Sequence, residues 1–310
     1  MLIGTVTADK SGYRLRTVDV FTERVLAGNP LAVVLDAERL SDDLMQAIAR
    51  EMNLSETTFV LPAQHGGSAR VRIFTPHAEL PFAGHPTIGT AWVLLDQGLV
   101  PKGTKELTLE EEIGPVPVRA EATATGQILW MTHPPVRFGK VVEDRTQLAA
   151  ALGLGEADLA TGVPIQIAST GVEFVYVALG DARAVDAATS SGERLAKVLA
   201  SYGSPPVFLF ARQDSRRLYS RMFGPHSLTQ IVEDPATGSA SGPLGAFAVR
   251  YGLVPRDTQV EIVSEQGTRM GRQSFVHIKI AYGDGGDIPQ RIEVGGSVVA
   301  AVNGSLTIET

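Results

Sequence analysis

The 310-residue chain contains no cysteine. That excludes disulfides, thiolate-bound zinc or iron–sulfur centres, and any thiol nucleophile or thiol acid/base. Long apolar runs are missing as well: no stretch reaches the ~18 consecutive apolar residues of a membrane span. Nor does Met1 to Lys10 place basic residues ahead of an apolar segment. The sequence therefore predicts a cytoplasmic protein without a membrane partner, with residues 1–12 as a loose leader. Basic excess is absent too. The 27 Lys and Arg face 34 Asp and Glu for a net charge of −7, which argues against nucleic acid as a partner. A small anion is still compatible, because a local site can bind one on an acidic protein. There is no Walker A motif and no Gly-x-Gly-x-x-Gly after a strand, and the six histidines lack metal-ligand spacing.

What is present is an ordinary globular composition, 44% hydrophobic and 20% charged, on a length that suits one large domain or two of about 150 residues. The chain also repeats itself. Gly84-His85-Pro86-Thr87 opens a run ending at Gly98-Leu99-Val100, and Gly238-Ser239-Ala240-Ser241 opens one ending at Gly252-Leu253-Val254, 154 residues later at both ends. Upstream, Arg72-Ile73-Phe74-Thr75-Pro76-His77 resembles Arg221-Met222-Phe223-Gly224-Pro225-His226, and Ser55 to Leu61 lines up with Ser204 to Phe210, both at an offset of 149. Matches in the same order at near-constant offset predict two similar domains.

Residues 14–21, 31–36, 57–61 and 69–74 read as strands, with Gly28-Asn29-Pro30 as a turn. Ser41-Asp42-Asp43 reads as a capped helix start. Residues 87–95 and 240–249 are long enough for helices but apolar almost all round, so each must be buried on most faces. Pro86 suits a first helical position, Pro243 a first turn, and Gly98 and Gly252 the stops. A surface helix is expected near 191–202, with joins at 132–135 and in the Gly-rich stretch 283–296. Glu110-Glu111-Glu112 reads as a solvated face or turn. The fold expected is α+β: two similar domains, each a mostly antiparallel sheet rolled around one central helix.

Both buried helices start with glycine, Gly84 and Gly238. A helix start offers unpaired N–H groups and the positive end of the dipole, and glycine lets a ligand approach closely. If the two domains face each other, both starts can grip one carboxylate; alternatively the glycines only ease packing. Beside them His85 could shuttle a proton, Asp234 could accept from an amine or hydroxyl, and Ser239 could cap its helix or hold a carboxylate. Glu56 stands opposite Pro205 in the repeat. A single active cleft needs one base, so this asymmetry marks Glu56 as a candidate, against the alternative of a solvated loop carboxylate.

The chain resembles the PhzF-like isomerases of phenazine biosynthesis. The resemblance rests on Gly28 to Val33, Met52 to Val60, Arg72 to Pro76, Glu79 to Pro86, Ser220 to Phe223 and Val232 to Pro243. It implies the two-domain diaminopimelate-epimerase fold, with a domain over 13–133 joined by the C-terminal strand 298–310, and a second over 134–297. It further implies no cofactor, no metal, a homodimer, and isomerisation of trans-2,3-dihydro-3-hydroxyanthranilate by proton transfer. By position, Glu56 is then the general acid/base, His85 and Asp234 flank the ring, and Gly84, Gly238 and Ser239 clamp the carboxylate. The alternatives are an isomerase or epimerase of the same fold on another small carboxylate, and a non-catalytic small-molecule binder. In the epimerase relatives, two thiols occupy the positions of His85 and Asp234, so the missing cysteines mark a different mechanism.

Overall fold

The computed structural model describes residues 10–124, 126–224, 232–283 and 286–309. The first half runs β1 (Lys10–Val20), β2 (Asn29–Val34), α1 (Asp42–Met52), β3 (Glu56–Leu61), β4 (Ala69–Phe74), β5 (Glu79–Leu80), α2 (Gly84–Asp96), β6 (Glu106–Glu111), β7 (Gly114–Ala122) and β8 (Gln127–Thr132). The second half opens with β9 (Arg137–Val141), α3 (Arg145–Ala151), β10 (Gln166–Ser169), β11 (Glu173–Ala178), α4 (Ala182–Ala187) and α5 (Gly192–Val198). It continues with β12 (Val207–Arg212), β13 (Arg217–Phe223), β14 (Glu233–Asp234), α6 (Gly238–Arg250), β15 (Gln259–Gln266), β16 (Ser274–Ala281) and β17 (Arg291–Gly296). The last strand, β18 (Val298–Glu309), returns to pair with β1.

The pairing repeats. From β2 to β8, strands follow parallel (β2–β3), antiparallel (β3–β4), parallel (β4–β6) and then two antiparallel steps through β7 to β8. From β11 to β17 the same succession recurs. An antiparallel seam between β8 and β17 makes the two curled sheets continuous. Phe74 pairs with Thr57, and its repeat counterpart Phe223 pairs with Val207. By register, then, the counterpart of Glu56 is Pro206, one residue after the Pro205 that the sequence offset suggests.

Each sheet wraps one 13-residue helix. The apolar α2 is buried among Val18, Leu31, Val33, Ile73, Leu109 and Met131. The equally apolar α6 sits among Tyr176, Phe208, Phe210, Ile262, Ile278 and Ile280. Water-free surroundings on nearly every face explain why these helices lack a polar side. A separate cluster covers the outer face of the second sheet, where α3, α4 and α5 place Leu148, Val185 and Leu195 over Ile167, Val177 and Leu209.

Several local expectations change. The helices do start at the expected glycines, Gly84 and Gly238, where a first turn that needs no i−4 bond tolerates small residues. Pro86 therefore takes the third helical position. Pro243 lies inside α6, beyond its first turn, and cannot donate to the Ser239 carbonyl. The helix expected over 191–202 ends at Val198, followed by a 3-10 turn at Ala200–Tyr202. Lys10, Ser11 and Gly12 belong to β1, paired with Glu309, Ile308 and Thr307 rather than a leader; residues 1–9 lie outside the described residues. Residues 291–296 form β17, not a join. Of the three consecutive glutamates only Glu112 is exposed, while Glu110 and Glu111 are buried. His226 lies outside the described residues, as do positions 284 and 285 of the turn expected at 283–286.

Candidate active site

The two buried helices meet start to start. A Cβ built on Gly84 would lie 3.0 Å from Ser239 N and 3.2 Å from the carbonyl carbon of Gly238. A larger residue here would require the facing backbone to give way by a few tenths of an ångström. Neither helix has a side-chain cap, and neither has an acidic residue in its first turn. Two positive dipole ends thus converge without a built-in counter-charge. Gly84 and Gly238 are buried, while Ser239 is half-buried and its hydroxyl has no hydrogen-bond partner among the described residues.

Around this junction Glu56, His85 and Asp234 come together. Glu56 starts β3, His85 is the second residue of α2, and Asp234 ends β14. Their exposures are 8%, 5% and 6%, so all three side chains are largely shielded from water. Glu56 Oε2 lies 3.4 Å from His85 Nε2, and neither atom makes a hydrogen bond among the described residues. Burial and, secondarily, the charge of Asp234 push the Glu56 carboxyl up to about 8. Burial pushes His85 down to about 3, with a hydrogen bond to the Pro30 carbonyl acting the other way. Asp234 is raised to about 6 by burial, against hydrogen bonds from Thr237 and Asn29. Near neutral pH the site therefore holds a protonated Glu56, a neutral imidazole and a mostly ionised Asp234.

Sequence reasoning missed the residues that join these groups. Asn29, read as part of a turn, is the first residue of β2 and is fully buried. Its Nδ2 lies 2.9 Å from Asp234 Oδ1, 2.9 Å from the Ala236 carbonyl and 3.2 Å from His85 Nδ1. Thr237 donates to Asp234 Oδ2 at 2.7 Å. Gln266 donates to the Asp234 carbonyl and accepts from Thr237 N. One connected set of polar groups thus crosses from the first half to the second. Its only sequence signal was the position of Asn29 beside a glycine that must turn the chain, since Gly28 has a φ of 68°.

Such a set can hold a carboxylate on two helix starts, and it keeps a proton on a carboxyl facing an unpartnered imidazole nitrogen. That is equipment for moving a proton among buried groups.

Comparison with known proteins agrees. The phenazine biosynthesis-like protein family matches residues 18–304. A trans-2,3-dihydro-3-hydroxyanthranilate isomerase of Pseudomonas aeruginosa is 37% identical over 292 residues, covering 94% of this chain and 98% of the relative. An uncharacterized isomerase of Salmonella typhimurium is 34% identical, covering 91% of this chain and 94% of its own. The crystal structure of a PhzF-family phenazine biosynthesis protein from Bacillus anthracis superposes with a TM-score of 0.88 at 27% identity, over 96% of this chain and 100% of that one. A hydroxyproline epimerase from Agrobacterium vitis, at 13% identity and a TM-score of 0.61 over 98% of this chain and 95% of its own, shares the fold alone. The chain belongs to the phenazine biosynthesis-like family and is an isomerase of that type.

Proposed function

We propose that this isomerase works without a cofactor and moves a proton on a small carboxylated ring, with trans-2,3-dihydro-3-hydroxyanthranilate as the substrate. The observation that carries the reading is the convergence of Glu56, His85 and Asp234 on two uncapped helix starts. The substrate carboxylate sits on the amides of Gly84 and Gly238 with the Ser239 hydroxyl. Glu56, as carboxylate, takes a proton from a ring carbon. The electron pair shifts along the conjugated system, and Glu56 returns the proton to another ring carbon. No electron is gained or lost. His85 and Asp234 hold the ring's hydroxyl and amine. The helix dipoles stabilise the negative charge that develops on deprotonation.

Glu56→Gln keeps the side-chain shape but cannot shuttle a proton. The expected result is a folded protein with turnover of this substrate reduced by roughly 10²–10⁴-fold. Wild-type rates in that variant would remove Glu56 from the mechanism. Turnover in deuterated water should give product with hydrogen, retained or solvent-derived, at a new carbon. Its absence there would rule out proton transfer. A full set of site residues with no turnover of this ring, but turnover of another carboxylate, would favour a different substrate on the same chemistry.

A further inference from the structure

Glu111, at the end of β6, lies behind the active-site helix. It is 7% exposed, and its Oε2 has no hydrogen-bond partner among the described residues. Its neighbour Glu110 has the opposite surroundings, with the backbone N–H groups of Gln64, His65 and Gly67 donating to it at 2.6–2.8 Å. These amides hold Glu110 below the usual carboxylate range. Among the described residues the Glu111 side chain has one hydrogen-bonding contact, the hydroxyl of the fully buried Thr87, 2.6 Å from its Oε1. That hydroxyl also lies 2.8 Å from the carbonyl of Ala83, the residue before Gly84. A hydroxyl has one hydrogen and here has two oxygen neighbours. If it donates to Ala83, the short contact with Glu111 requires a proton on Glu111. An ionised Glu111 would instead be a buried charge with a single hydrogen bond, a costly state.

We propose that Glu111, as the neutral acid, donates to Thr87 and so directs the Thr87 hydroxyl onto the Ala83 carbonyl, fixing the first turn of α2 that carries Gly84 and His85. A second contact from the same hairpin supports the same segment, since Ile113 N donates to the Pro81 carbonyl at 3.1 Å. Burial pushes Glu111 up to about 8, in keeping with a proton held there. Other charges share its outer cleft of about 640 Å³. Arg72 is occupied by Glu79 and Asp42, and Arg70, His65, Glu110 and Glu112 make no hydrogen bond or ion pair with Glu111. Glu111 is a positioning residue, because it acts through Thr87 and does not reach the reacting atoms.

The test uses the whole protein and two readouts. The first needs no substrate and is independent of the proposed reaction. Between its ordinary value and about 8, Glu111 binds a proton in the folded chain and releases it in the unfolded chain, so its contribution to stability falls as pH rises across that window. Glu111→Gln keeps a neutral donor and removes this slope. Its melting temperature should exceed that of wild type at pH 8.5, and the difference should shrink toward pH 5. A difference equal at both pH values overturns the proposal. The second readout is turnover, with the substrate or whichever carboxylate the enzyme accepts. Glu111→Gln should keep kcat within about 2-fold at pH 7, whereas Glu111→Leu or, if that fails to fold, Thr87→Val should lower kcat about 10-fold with less change in KM. Thr87→Ser should restore it. Gln as damaging as Leu, or Ser no better than Val, would also overturn the assignment.

Discussion

Asn29 touches both His85 and Asp234 of the proposed site, and its removal separates two effects. In Asn29→Ala, Asp234 loses one of the two donors that lower its pKa, so the Asp234 carboxyl should titrate above its present value of about 6. Carbon-13 side-chain spectra would read this directly, and an unmoved Asp234 would contradict the geometry. The freed His85 ring should cost kcat/KM about 10²-fold, the scale of a small misplacement at a reacting centre. Glu56 carries its own pH signature. Since kcat/KM follows ionisations of the free enzyme, a carboxylate base raised to about 8 makes kcat/KM climb with pH up to about that value. A flat profile from pH 6 to 9 would be incompatible with this base. Glu56, His85 and Asp234 were legible in the sequence because each adjoins a repeat boundary or a glycine-marked helix start. Asn29 and Gln266 were not, since their partners stand 205 and 32 residues away across a fold that local patterning does not encode, while Thr237, only 3 residues from Asp234, carried no signal beyond its place before the helix start. Glu111 was misread for a related reason. Three adjacent glutamates look solvated, but strand alternation and the loop over 64–67 bury two of them.

Each helix start is approached by a two-residue strand, and each such strand is anchored by the same device. Arg72 makes a bidentate pair with Glu79 at 2.7 Å on both arms and lies over the Phe74 ring. Arg221 pairs with Glu233 at 2.8 and 2.9 Å and lies over Phe223. These pairs explain why the repeat is clearest at Arg-x-Phe and why the approach segments keep their geometry. They differ in their surroundings. Arg221 is buried and also donates to the carbonyls of Val185, Asp186 and Ala188, whereas Arg72 reaches the exposed Asp42. Arg221→Met strands Glu233 and three carbonyls, so it should cost about 3–5 kcal/mol in urea unfolding, and Arg72→Met should cost less. Equal losses would show that burial does not set the difference. At this scale the sequence was most informative, because apolar all-round runs and offset-matched motifs report on burial. The position of Pro243 inside α6, beyond the first turn, escaped it, since tertiary packing overrides local preference there.

Across the whole molecule the buried ionisable groups act in opposite pH ranges. His85 and His133 are held below the ordinary histidine value, at about 3 and about 4, so their contribution is present above about 6.5 and is lost as pH falls. Glu56 and Glu111, both at about 8, keep protons that the unfolded chain releases, so stability falls as pH rises toward 8. Between pH 6.5 and 8 only the carboxyls titrate among these four, and the melting temperature should decline across that interval. The halves themselves are tied beside the site. Arg272, from the turn before β16, donates to Asp19 of β1 and to the carbonyl of Gly28, and Asp19 also accepts from Leu26 N at 2.7 Å. The next residue after Gly28 is Asn29, so this tie sets the backbone on which the polar network begins. The Asp19 side chain is 3% exposed. Arg272→Leu leaves that carboxylate without its cation, which should cost about 3–5 kcal/mol and speed amide exchange over residues 22–29. Adding Asp19→Asn removes the stranded charge, so the double variant should recover much of the loss, the mark of directly coupled partners. Additive losses with unchanged exchange over 22–29 would mean that the ion pair does not hold the halves together there.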